Sequence, residues 1–139
     1  MKYERLIIEK KEYVMLKRLL NVSGHTGDES IKTSIIKLSA ELTDAKIIDN
    51  HEIPSDVVRF NSNVTISSSE GWERTIQLVM PSERNFKEGK ISVLTPMGAA
   101  LFGYASGDEV EWQFPSGFKK IKIKQVEQEP YYNSLDVSI

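Results

Sequence analysis

Two hydrophobic periods run along this chain, and one element cannot obey both. From residue 31 to 45 the apolar positions Ile31, Ile35, Leu38, Leu42 and Ala45 are spaced 4, 3, 4 and 3. That spacing is the seam of an amphipathic helix packing in the coiled-coil manner. Downstream of Pro54 the period falls to two. Ile76, Leu78 and Met80 alternate with Thr75, Gln77 and Val79, and Val110, Trp112 and Phe114 alternate with Glu109, Glu111 and Gln113. Alternation of this kind marks strands with one buried face. The chain therefore reads as α+β, helices first and strands after.

Tyr13, Leu16 and Leu20 lay a second seam along Lys10–Leu20, a stretch without Gly or Pro. Between the seams, Asn21-Val22-Ser23-Gly24-His25-Thr26-Gly27 reads as a loop whose glycines absorb a reversal. Asp28 or Ser30 stands where an N-cap belongs, ahead of the second helix. The expected unit is an antiparallel helical hairpin, a short coiled coil, with Lys10, Lys11, Lys17 and Arg18 facing solvent. Its arms span about 11 and about 18 residues, hence ~16 and ~27 Å at 1.5 Å per residue. Two helices have little core of their own, so the hairpin must lean on, or project from, the strand-forming half of the chain.

That second half is predicted as a small antiparallel sheet. Short strands are expected at Val57–Phe60, Val64–Ser68, 75–80, 91–93 and 109–114. A last one holds Ile121 and Ile123, reached through the turn Pro115-Ser116-Gly117. One short helix interrupts them, with Thr95 as N-cap, Pro96 at the first helical position and Gly103 near its end. The division expected is a hairpin over 1–52, a sheet domain over 53–129 and a loose tail over 130–139.

Composition excludes several function classes. Eighteen Lys and Arg against 20 Asp and Glu leave a net charge of −2. A phosphate-backbone ligand needs a basic excess, so direct sequence-specific nucleic-acid binding is not expected. With no cysteine there is no disulfide, thiolate nucleophile or cysteine metal site. No apolar run approaches the ~18–20 residues that cross a bilayer. Nor does an apolar signal region follow the N-terminus, and the expectation is a cytoplasmic chain without membrane contact. His51-Glu52-Ile53-Pro54-Ser55 opens like a zinc-protease motif but lacks the second histidine and meets a proline. It is read as no metal site, and no cofactor is expected. The Lys119, Lys120, Lys122 and Lys124 cluster is read as a solvated strand face. An acidic partner or an RNA phosphate is its competing reading.

The segment Ile91-Ser92-Val93-Leu94-Thr95-Pro96-Met97-Gly98-Ala99-Ala100-Leu101-Phe102-Gly103 carries a more specific signal. A strand, then Ser/Thr-Pro, a helix of small residues and a glycine resemble the C-terminal domain of the Gre-factor family. The resemblance continues through Ala105-Ser106-Gly107-Asp108-Glu109-Val110 and Phe114-Pro115-Ser116-Gly117, and upstream through Ile53–Ser62. With its short hairpin, the whole chain is most similar to the short-armed, Rnk-like branch of that family. The resemblance implies an FKBP-like sheet domain that docks on RNA polymerase at the mouth of its secondary channel. Leu94, Thr95, Pro96 and Met97 are the implied docking loop, and the hairpin points into the channel. Asp28 and Glu29 sit near the tip, where cleavage factors of the family carry acidic residues that help hold a metal ion. Arms this short, and an acidic pair opening a helix, are read instead as a helix cap. The expectation is a monomeric, non-enzymatic transcription regulator that binds polymerase. Two alternatives are transcript cleavage through the tip acids, and an FKBP-like prolyl isomerase or chaperone. In the last case Trp72, Phe102, Tyr104, Trp112 and Phe114 would line a pocket, where core packing is their other reading.

Overall fold

The computed structural model describes the backbone of residues 1–23, 28–114 and 117–129, and the side chains of all these except 112–114. The element order is β1 (Ile7–Glu9), α1 (Lys10–Ser23), α2 (Glu29–Leu42), β2 (Lys46–Ile48), β3 (Asn63–Ser68), β4 (Glu73–Val79), β5 (Lys90–Ser92), α3 (Pro96–Leu101), β6 (Glu109–Phe114) and β7 (Gly117–Glu127). The result is a mixed α+β fold: a helical region, then a mostly antiparallel five-stranded sheet in the order β5-β4-β3-β7-β6. The loop glycines Gly24 and Gly27, His25, the turn residues Pro115 and Ser116, and the tail 130–139 lie outside the described residues.

Both arms have 14 residues, unlike the unequal lengths expected from the seams. α1 runs past Leu20 because nothing in Asn21-Val22-Ser23 breaks a helix. α2 stops at Leu42, before Ala45, where Thr43 turns its hydroxyl back onto the Ala40 carbonyl at 2.7 Å. Beyond it, Lys46–Ile48 is drawn into parallel pairing with Ile7–Glu9. The helical hairpin is the crossover that lets these two strands run parallel. Three residues carry no readable period, and Ile7, Ile8 and Glu9 are all buried, so this small sheet left no signature in the sequence.

In the main sheet, Ile76 and Leu78 point into the core from β4, and Ile121 and Ile123 from β7, as alternation required. Two expectations change. Val57–Phe60 is not a strand: Val58 N–H donates to the Tyr104 carbonyl and its own carbonyl accepts from Gly103 N–H, while Val57 makes one isolated bridge to Ala105. All four residues are buried, on both sides of the backbone, so period two has no solvent face to show. And β5 pairs parallel with β4. The link between them, with short 3-10 turns at Pro81–Glu83 and Phe86–Glu88, carries the chain back to the same end before it pairs.

The hairpin leans on the sheet. Leu16, Leu20, Leu38 and Leu42 belong to one apolar cluster with Phe60, Val64, Ile66, Leu78, Ala99, Leu101, Phe102, Ile121 and Ile123. α2 packs against α3, where alanines allow close approach. Leu38 is fully buried, and removing a leucine side chain from water contributes ~1.5–3 kcal/mol. Seam residues Ile31, Ile35 and Ala45 pack at the margin of the same cluster.

Candidate functional site

The candidate docking loop is the turn from β5 into α3, and its shape comes from three short-range hydrogen bonds. Thr95 accepts from Gly98 N–H at 3.1 Å through its hydroxyl, which donates in turn to the Ser92 carbonyl at 2.7 Å. Ser92 takes the Leu94 N–H on its own hydroxyl at 3.1 Å. Pro96 opens the helix, where a missing N–H costs nothing. Gly98 is required by space. A Cβ there would collide with the Ser92 carbonyl oxygen and stand 2.8 Å from Val93 Cα. The loop thus folds onto its own helix with backbone against backbone. Leu94 is buried in the core, while Thr95, Pro96 and Met97 are half-buried and offer part of their surface outward.

At the hairpin tip, Asp28 caps α2. Its carboxylate accepts from Ser30 N–H at 2.9 Å, Ile31 N–H at 3.2 Å and the Ser30 hydroxyl at 2.7 Å. The Ser30 hydroxyl, then the Ile31 amide, hold this carboxyl below its ordinary range. Glu29 is exposed and pairs with Lys32 one turn on, at 3.7 Å. Both of these acids are on the surface, and Asp28 is engaged by the helix start.

The opposite end of the hairpin is tied to the sheet region by polar contacts, buried and half-buried, that sequence reasoning missed. Arg59 Nε donates to Glu12 at 3.3 and 3.5 Å, and the side chains are 7% and 3% exposed. Glu9, also buried, accepts from the Lys11 and Glu12 amides at 2.9 and 3.1 Å and so caps α1. On the other helix, the Tyr104 hydroxyl donates to Glu41 at 3.1 Å, and Glu41 also pairs with Lys37. Burial, then the Glu41 carboxylate, push the Tyr104 hydroxyl far above its ordinary range. The N-terminal strap adds Tyr3, whose hydroxyl donates to Asp56 at 2.8 Å, and Lys2, paired with the same carboxylate.

The remaining sequence candidates separate. Lys120, Lys122 and Lys124 share the exposed face of β7, opposite the buried Ile121 and Ile123. Glu111 and Glu109 stand directly across from Lys120 and Lys122, and Lys124 and Lys119 pair with Glu73 and Glu70. Cross-strand ion pairs are what a solvated face carries. Phe102 lies in the core with its ring 5.0 Å from that of Phe60, and Trp72 packs at the core margin. These described aromatic rings serve packing, while the side chains of Trp112 and Phe114 lie outside the described residues. Asp49, His51 and Glu52 bring one potential ligand atom each within 4.8 Å of one another on an exposed turn. Lys10 already sits 2.9 Å from Asp49, the ordinary arrangement of a surface ion pair.

Residues 53–128, more than half of the chain, match the family model described as "Transcription elongation factor, GreA/GreB, C-term". The chain belongs to the GreA/GreB family. The regulator of nucleoside diphosphate kinase of Escherichia coli K12 is 36% identical over 95 residues, 67% of this chain and 70% of that one. Transcription elongation factor GreA of Hyphomonas neptunium is 34% identical over 110 residues, covering 76% and 70% of the two chains. A solved GreA/GreB elongation factor from Nitrosomonas europaea superposes with a TM-score of 0.71 at 33% identity, over 88% of this chain and 98% of its own.

The GreA/GreB match encloses the loop Leu94–Met97, Gly98, Tyr104 and Arg59, and leaves the hairpin acids Asp28 and Glu29 outside it. Within it, the Ser/Thr-Pro-helix signature was readable because cap, proline and small residues are local. Arg59 and Glu12 were not readable, since a charged residue in a first helical turn or beside a valine pair reads as exposed until both ends are seen together.

Proposed function

We propose that this GreA/GreB family member is a transcription regulator that binds RNA polymerase at the entrance of its secondary channel and does not itself promote transcript cleavage. In this reading Leu94–Met97 is the docking element. Leu94 anchors the loop from within the core, and Thr95, Pro96 and Met97 supply the accessible contact. The hairpin is the part that enters the channel. The observation carrying the non-catalytic half is arm length: 14 residues per helix, ~21 Å, with Asp28 held in its own helix cap. Carboxylates assist a metal or its water only within a few ångströms of the reacting atoms. The sheet with its single short helix is taken as FKBP-like, and that architecture brings no isomerase activity with it. The protein works as a monomer in the cytoplasm and uses no cofactor.

Backtracked elongation complexes test this directly. The wild-type protein is expected to leave their RNA intact and to inhibit a genuine cleavage factor in proportion to its concentration. Robust cleavage by the wild type, abolished by Asp28→Ala with Glu29→Ala, would replace this reading with the catalytic one. Pro96→Asn, checked for a native circular-dichroism spectrum, should bind core polymerase more weakly, and unchanged affinity would remove the loop from the docking site.

A further inference from the structure

Among the described residues, the base of the hairpin is gripped by one buried and one half-buried polar contact. Glu12 lies in the first turn of α1 and Glu41 in the last turn of α2, so both mark the base, opposite Ser23 and Asp28. Each carboxylate reaches across to the sheet region: Glu12 to Arg59 at 3.3 Å, Glu41 to Tyr104 at 3.1 Å. Much of the remaining junction is apolar packing, with Lys37 also lying 5.9 Å over the Tyr104 ring, and apolar contact is non-directional. A buried ion pair adds little stability over a well-packed apolar pair, because desolvation offsets the attraction. What it does supply is direction. A planar guanidinium donates to a carboxylate along few directions, and a phenol hydroxyl donates along one line.

We propose that Glu12–Arg59 and Glu41–Tyr104 form a two-point clamp of positioning residues that sets the angle at which the hairpin leaves the sheet. The lever is long enough for this to matter. Eleven residues separate Glu12 from Ser23, ~16 Å, so a tilt of about 10° at the base moves the tip by roughly 3 Å. A hairpin that must enter a channel while the loop Leu94–Met97 is docked tolerates little such error. The use of the angle rests on the polymerase reading above. The clamp itself does not.

The chain has no cysteine, so two engineered ones give clean spin labels. Val22→Cys near the tip and Lys122→Cys on β7 are both at exposed positions. In the otherwise wild-type chain the label–label distance distribution should be narrow. Glu12→Met with Arg59→Met and Tyr104→Phe removes both polar ties while keeping apolar bulk. This variant should unfold cooperatively at nearly the wild-type temperature, yet show a shifted or broadened distribution. A folded variant with an unchanged distribution overturns the clamp. Should the triple variant not fold, Glu12→Gln with Arg59→Met and Tyr104→Phe removes the same two ties and carries the same measurement, and an unchanged distribution again overturns it. Restoring the first tie in reversed form, Glu12→Arg with Arg59→Glu and Tyr104→Phe, should narrow the distribution again, which a purely space-filling role would not do. In competition with a cleavage factor on core polymerase, the folded triple variant should lose roughly tenfold or more in potency. If wild-type protein does not bind polymerase, the functional reading fails and the label distances alone judge the clamp. If it binds and the variant competes equally well, the angle serves no docking purpose.

Discussion

The starts of α2 and α3 are built by the same chemistry in opposite surroundings. Asp28 and Thr95 each stand in extended backbone ahead of their helix and accept amide hydrogen bonds through a side-chain oxygen. Asp28 does so in water, at a tip whose arms meet the core only farther down. Thr95 does so at the edge of the core, with Leu94, Gly98 and Ala99 buried around it. A cap of given chemistry is therefore an adjustable detail at the tip and a structural joint in the loop. The loop can present a fixed shape to a partner because its backbone is wedged between β5 and α3. At the tip, Asp28 and Glu29 are exposed, and the proposed clamp would set their placement from the base of the hairpin.

The sharpest way to break this contrast is Gly98→Ala. A methyl group there must displace the Ser92–Val93 backbone, which is covalently continuous with β5, and overpacking of this kind costs on the order of 3 kcal/mol or more. Urea unfolding should show that loss as a lower midpoint. A near-neutral result would mean that the loop is soft and that its comparison with the tip is wrong.

Comparable in size is Leu38→Asp. Burying a carboxylate among the residues shared by α2, α3 and the sheet costs several kcal/mol. Because one apolar cluster joins the two regions, circular dichroism of the helices and tryptophan fluorescence should still change in one coincident transition at a lower temperature. Two separated transitions would show that the hairpin melts by itself.

Thr95→Ala should cost about 1 kcal/mol, up to ~2 given its half-buried setting. Asp28→Ala should shift the melting temperature less than Thr95→Ala, and it should leave polymerase affinity unchanged. The order of these two melting temperatures is the measurement, and a reversed order would place the firmer joint at the tip.

The smallest effect separates the caps by pH. The folded-state value for Asp28 lies below its ordinary 3.8. Its contribution is thus fully present above that value and is lost as pH falls through the lower, folded one. Thr95 does not titrate. Acidification below about pH 4 should move the Ser30 and Ile31 amide resonances while Gly98 stays in place. Coincident movement of all three would show that the caps are not independent.

Much of this molecule was legible residue by residue. The helical seam of Leu38 and Leu42, the strand alternation around Ile76 and Ile121, the caps at Asp28 and Thr95 and the proline opening α3 all act within a few positions of the chain. Their physics is local: hydrogen bonds to the next amides, side chains stacked one turn apart, faces alternating along a strand. Tertiary structure alone decided the rest. It buried Glu12 against Arg59, 47 positions away, and joined Glu41 to Tyr104. It packed Val57–Phe60 on both sides, so that no alternation survived, and paired Ile7–Glu9 with Lys46–Ile48 across the hairpin. A glutamate in a first helical turn is favoured by the helix dipole whether it ends in water or in the core. Only the arrival of a second chain segment selects between those outcomes, and that segment leaves no mark in the neighbouring sequence.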